Sequence, residues 1–245
     1  MRTEIGEVEA IFRYPVKSMA GERLEAARLG WHGLEGDRRL AFRRVGDRSG
    51  FPWLTASKLP ELLLYTPSGG EDGGMASLPT QVRTPDGATM SVFGDELAAE
   101  VGRRYGAPVE MMQAKNGIFD DASVSVIAAE TVREIGRLAG FGVDVRRFRP
   151  NVVVSLRRAL PFQEDEWVGG VLSFGEGDDT PAVAVTMRDL RCVMVNSDPD
   201  SASGAPEVLK AVARANEANA GVYGAVTRVG LIRVGQPIFY RAGDG

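Results

Sequence analysis

Arg146-Arg147-Phe148-Arg149-Pro150-Asn151-Val152-Val153-Val154 sets three arginines in four positions immediately ahead of an apolar run. The β-branched triplet predicts a strand, and Pro150 fixes the backbone so that Arg149 and Asn151 stand near each other at its start. Loops at strand ends are where a rigid scaffold carries function. The arginines admit two readings: solvated surface charge in an acidic protein, or a cluster held in place to meet an anion.

Working outward, further strands are predicted at Val8 to Tyr14, Leu40 to Val45, Gln81 to Thr84, Thr89 to Phe93, Ala182 to Val185, Val193 to Val195 and Leu231 to Val234. Three helices are predicted between them. Asp95 is placed to cap a segment with Leu97, Val101 and Tyr105 on one face. A second helix spans about Ala129 to Ala139 with a Val132, Ile135 and Leu138 stripe, and a third runs from Pro206 to about Ala218. Gly69-Gly70-Glu71-Asp72-Gly73-Gly74 reads as an exposed loop. No repeat of 20 to 50 residues is present. The class is mainly β with a few helices (α+β), closed into barrel-like sheets, with a boundary in the unpatterned stretch near 113–120. The division expected is 1–115 and 116–245.

The 245 residues are 44% hydrophobic and 25% charged, with a formal net charge of -4, which places the chain among globular proteins and argues against a large nucleic-acid surface. No run approaches a membrane span and the start lacks a leader's apolar stretch, so a cytoplasmic location without membrane attachment is expected. One cysteine and one histidine, Cys192 and His32, exclude an internal disulfide, an iron–sulfur site and a Cys/His zinc centre. Hard redox chemistry would need a bound cofactor.

Three other segments put charge or a nucleophile at a strand end. In Tyr14-Pro15-Val16-Lys17-Ser18, Lys17 and Ser18 suit a phosphate, or else form a turn stiffened by Pro15. In Gly33-Leu34-Glu35-Gly36-Asp37-Arg38-Arg39, Arg38 offers a planar fork to an anion, or the segment is simply a hairpin. In Arg191-Cys192-Val193-Met194-Val195-Asn196-Ser197-Asp198-Pro199-Asp200, the thiol heads an expected strand beside a fixed positive charge that favours thiolate, or it is a small buried hydrophobe.

Taken in order, these segments resemble the MOSC superfamily, named for the C-terminal domain of molybdenum cofactor sulfurases, and in particular bacterial relatives of the mitochondrial amidoxime-reducing components. Tyr14 to Ser18 and Gly36-Asp37-Arg38 are similar to that family's N-terminal β-barrel domain. Asp121-Ala122-Ser123, Arg147 to Asn151 and Cys192 to Asp200 are similar to the MOSC domain proper, and Gly230-Leu231-Ile232-Arg233-Val234-Gly235 to its closing strand. The chain departs from the amidoxime-reducing branch at Val124, where that branch has proline, and at Leu190, where it has a small polar residue.

The resemblance implies a molybdenum–molybdopterin cofactor, with Cys192 as catalytic residue and sulfur ligand to the metal. Lys17, Ser18, Arg38, Ser123, Arg149 and Asn151 would then hold the pterin and its phosphate. It implies an oxidoreductase acting on small N-hydroxylated or N-oxide compounds, with electrons from a separate flavoprotein, ferredoxin or cytochrome. Pyridoxal phosphate is not expected, for want of room. Two alternatives stay open: a sulfur carrier bearing a Cys192 persulfide, and a non-catalytic cofactor carrier.

Overall fold

The computed structural model describes residues 2–70 and 78–243. Its strands in the first half are β1 (Arg2–Arg13), β2 (Glu22–Leu24), β3 (Ala26–Gly30), β4 (Gly33–Leu34), β5 (Leu40–Arg44), β6 (Thr66–Ser68), β7 (Gln81–Arg83), β8 (Thr89–Ser91) and β9 (Val109–Gln113), with helix α1 (Asp95–Tyr105) before β9. The second half holds β10 (Val124–Ala128), α2 (Ala129–Ala139), β11 (Val152–Leu156), β12 (Val171–Phe174), β13 (Ala182–Leu190), α3 (Glu207–Asn216), β14 (Asn219–Arg228), β15 (Gly230–Arg233) and β16 (Pro237–Arg241).

Seven strands close on themselves in the order β11-β10-β14-β13-β12-β16-β1, because β1 pairs antiparallel with β11 as well as with β16. Closure leaves the barrel without open edges. Val8, Ile11, Val126, Val154, Trp167 and Phe174 fill its interior. A bulge between Val8 and Ala10 shifts the register of β1. The shift turns Val8 and Ile11, three apart, both inward, and leaves Ala10 and Phe12 on the outer face. That face is covered by α2 and α3, where Ile127, Val153, Ile135 and Val212 pack together. Covered on both sides, the parallel pair β10–β11 is an almost continuous apolar run in sequence.

A smaller lobe gathers β5, β9, the β6-β7-β8 sheet and α1 around Phe42, Leu62, Tyr65, Leu97 and Val101. Ala27, Leu29 and Leu34 of β3 and β4 share the barrel core with residues of the second half.

Several local expectations change. Val193 to Val195 is not a strand but part of a 3-10 turn, Val193–Asn196. The reason is that β13 runs on to Leu190, ending opposite Asn219, and the chain then folds under α3, where Val195 packs with Val208 and Val212. Cys192 therefore caps a turn rather than heading a strand. Gly94, not Asp95, occupies the N-cap of α1, with Asp95 in the first turn, where a carboxylate favours the helix dipole. In α2, Val132 and Ile135 are buried but Leu138 is 43% exposed. The third helix opens at Glu207 with Pro206 as its N-cap and ends at Asn216, because Asn219 already begins β14. β15 pairs with β3 outside the barrel, and β16 supplies the closing strand. Glu71 to Gly74 of the expected glycine loop lie outside the described residues. Among the described residues no helix is long and apolar enough to cross a membrane.

Candidate functional site

A cleft of about 270 Å³ brings Lys17, Ser18, Arg38, Arg149 and Cys192 together. Ser123 and Asn151 do not line it. The loops that follow β1 and β4 supply the first three residues, the loop before β11 supplies Arg149, and the segment after β13 supplies Cys192.

Arg38 is 5% exposed and fully engaged. It donates to the Asp37 carboxylate at 2.5 Å and to the Arg149 carbonyl at 2.7 Å, and its Nε lies 2.6 Å from Asp120. Burial alone would lower its pKa, but Asp37 and Asp120 raise it above the ordinary arginine value. Asp37 also accepts from the Tyr14 backbone N–H at 2.7 Å, tying the two sequence segments together. Asn151 completes this wall from behind: its Oδ1 accepts from the Ser125 N–H at 3.0 Å and its Nδ2 donates to the Phe12 carbonyl at 3.3 Å. It is 1% exposed and positions the strand ends. Ser123 is half-buried beside Gly33, where any Cβ would stand 2.0 Å from the Ser123 carbonyl oxygen. The positive φ of 105° at Gly33 adds to the need for glycine.

Lys17 donates to the Phe119 carbonyl at 2.7 Å and lies 3.9 Å from Asp120. Burial lowers its pKa, partly offset by Asp120. Against burial, Arg38 and Lys17 hold the Asp120 carboxyl below the usual carboxylate range.

The three arginines of 146–149 separate cleanly. Arg146 forks onto Asp144 and Asp200, and Arg147 reaches Asp198 at 2.8 Å and the Asn196 carbonyl at 2.7 Å. The Asp198-Pro199-Asp200 turn thus neutralises two of them. Arg149 donates from Nη1 to the Met19 carbonyl at 2.7 Å, while its buried Nη2 has no partner. Its guanidinium lies 4.2 Å from the centre of the Tyr14 ring. Burial, reinforced by Arg38, lowers its pKa to about 10. Ser18, Arg38 and Arg149 all hold left-handed backbone, with φ of 66°, 46° and 49°. Such non-glycine residues each cost about 1–3 kcal/mol and cluster where a site over-determines the backbone.

Cys192 is exposed. The neighbouring Arg191 guanidinium donates to the Phe148 carbonyl at 2.8 Å and the Ala220 carbonyl at 2.6 Å, and it pairs with Asp189 at 2.6 Å. Gly221 makes room for it, since a Cβ there would meet Arg191 Nη2 at 3.0 Å and the Val126 carbonyl at 2.7 Å. Asp189 is 2% exposed and accepts from the Ser125 hydroxyl at 3.1 Å. Burial raises its pKa to about 6 despite Arg191. Burial also raises the Tyr223 phenol, with Asp189 and Asp120 adding to the effect. Asp120, Asp189 and Tyr223 all line the cleft and were missed from sequence: Asp120 and Tyr223 are brought to Cys192 by the fold, while Asp189, three residues before Cys192, stands on a strand with no motif to mark it.

The family model for the MOSC domain matches residues 102–239, and that for the MOSC N-terminal beta barrel domain matches residues 5–115. The chain belongs to the MOSC family. MOSC domains are associated with binding of the molybdenum cofactor. Among solved structures, this MOSC protein is similar to the YuaD protein of Bacillus subtilis, at 14% identity and a TM-score of 0.54, over 100% of this chain and 99% of that one. That likeness is one of fold. YiiM from Geobacillus stearothermophilus matches 49% of this chain and 55% of its own, at 18% identity and a TM-score of 0.38. A search of the curated proteins finds no match.

Proposed function

We propose that the Cys192 cleft holds a molybdenum–pterin cofactor and that the protein is an oxidoreductase for N-hydroxylated or N-oxide compounds. The observation that carries this reading is the meeting, in one cleft, of an exposed thiol with Lys17, Ser18 and an Arg149 whose Nη2 is unpaired. The donor set fits such a group. A soft thiolate suits the metal, and cationic and hydroxyl donors suit a phosphate. Among the described residues no group of three or more His, Cys, Asp or Glu is placed to hold a metal ion by itself, so a metal at Cys192 would need donors that a cofactor brings.

When bound, the group supplies two-electron oxygen-atom chemistry. The overall reaction breaks the N–O bond, consumes two electrons and two protons, and releases water. The electrons come from a separate flavoprotein, ferredoxin or cytochrome. Lys17 and Arg149 bind and orient the anionic end, and Arg38 fixes the wall against which it rests. Burial raises the Asp189 carboxyl to about 6, so this cleft residue would hold a proton below that pH.

The test is to purify the protein from a cofactor-competent host and measure molybdenum, oxidised pterin fluorescence and reduction of a benzamidoxime-type probe with a supplied electron donor. Stoichiometric metal with turnover is expected. Sulfane sulfur on Cys192 without metal would replace this reading with a sulfur carrier, and metal without turnover would replace it with a cofactor carrier.

A further inference from the structure

On the far side of Arg149 from the Cys192 cleft lies a second cavity of about 340 Å³. The two share only Arg147, Arg149 and Met194. Its apolar wall is Phe12, Leu63, Leu64 and Pro85, and its cationic residues are Arg83, Arg146, Arg147 and Arg149, with Asp200 the one carboxylate in the lining. Asp200 is already taken by Arg146 through Oδ1 at 2.9 Å and Oδ2 at 2.6 Å.

Tyr14 lines this cavity, is 2% exposed, and its hydroxyl has no hydrogen-bond partner. A buried hydroxyl without a partner is costly, so one in a cavity wall points to a missing acceptor. Burial keeps it a neutral donor, with its pKa pushed up to about 12. Arg147 Nε is a second buried donor without an acceptor, and Arg149, stacked against the Tyr14 ring, adds positive charge to the same wall. Unpaired donors facing an apolar wall match a ligand that brings acceptors and a flat hydrophobic body.

We propose that this second cavity is a binding site for a small organic oxyanion, an aryl carboxylate or aryl phosphate. The anion accepts from the Tyr14 hydroxyl and Arg147 Nε, leaving Arg149 Nη2 to the group in the Cys192 cleft, and its ring lies against Leu63, Leu64 and Pro85. The site is separate from the Cys192 cleft and does not require a metal there.

The experiment titrates the full-length protein with benzoate and phenyl phosphate, and with benzyl alcohol as the uncharged control, by isothermal titration calorimetry. Protein loaded with cofactor and protein from a cofactor-deficient host are run side by side. At least one anion binds both forms, benzyl alcohol does not, and added salt weakens binding. Tyr14→Phe, which keeps the ring and the arginine stack, weakens binding about tenfold, and Arg83→Ala about threefold. Cys192→Ser leaves binding unchanged. Matching melting curves confirm that the variants are folded. Absence of anion binding, equal binding of benzyl alcohol, or insensitivity to Tyr14→Phe overturns the proposal. Binding only to the cofactor-free form overturns it as well, because the cavity would then belong to the cofactor.

Discussion

On one wall of the cleft Arg38 is held by Asp37, Asp120 and the Arg149 carbonyl; on the other, Arg149 donates once and Cys192 stands exposed at the head of a turn. Both arginines belong to the same family motif set, and both have positive φ. Their hydrogen bonding assigns them different work. Arg38 is a frame that joins Tyr14, the Asp120 loop and the start of β11, whereas Arg149 keeps a donor in reserve for a ligand. The fully paired wall governs stability, and the under-paired wall governs binding.

The largest effect expected is on the framed wall. Arg38→Ala leaves Asp37 and Asp120 without their cation in a buried setting and should cost about 3–5 kcal/mol in urea unfolding. A loss below about 1 kcal/mol would erase the distinction between the two walls. Arg149→Ala should instead weaken cofactor retention by about 1.5–3 kcal/mol, while Arg157→Ala, an arginine paired with Glu4 on the surface, changes it little. Equal cofactor occupancy in the Arg149 and Arg157 variants would return Arg149 to a purely structural role.

Asp189 sharpens the comparison through pH. Its carboxyl titrates near 6 in the folded protein and in the ordinary carboxylate range, about 3.9, when unfolded. Between those values the folded state binds the extra proton, so its contribution to stability is full below the unfolded value and is lost as pH rises through about 6. Wild type should lose roughly 2 kcal/mol relative to Asp189→Asn between pH 4 and pH 7. Parallel stability curves for the two proteins across that range would contradict it. The smallest effect expected is at Leu138. Leu138→Ala should change stability by no more than about 0.5 kcal/mol, and Ile135→Ala, buried on the same helix, by about 2–5 kcal/mol. Differential scanning calorimetry of the pair checks this.

Much of the fold was legible because long periodic segments announce themselves: α2 lies at Ala129–Ala139 as its spacing requires, and β5 starts at Leu40. The misread parts have physical causes. Val193-Met194-Val195 has strand composition, but its apolar residue Val195 is buried by α3 rather than by a sheet neighbour. Leu138 keeps helical phase yet stands at the end of α2, beyond the surface that the helix covers. No sequence pattern reveals that β1 pairs with both β11 and β16, or that its bulge reverses which residues face inward. In the site, Lys17, Ser18, Arg38, Arg149 and Cys192, drawn from separate motifs, line one cleft. Sequence could not tell which arginine is spent, because the Asp120 that occupies Arg38 and the Asp198 that occupies Arg147 come from distant loops. Asn151 shares its neighbour's motif but is turned inward, bonded to Ser125 and Phe12.

In the proposed function, Cys192 is the protein's own ligand to the metal. Wild type, Cys192→Ser and Cys192→Ala should be purified from a cofactor-competent host and compared by X-ray absorption at the molybdenum edge, with pterin content measured on the same samples. Because the thiol is exposed, the substitutions should leave the fold intact. The account predicts that both variants retain much of the pterin through Lys17 and Arg149 and lose the protein-derived metal–sulfur signal together with activity. A Cys192→Ala protein with wild-type metal spectra would contradict it.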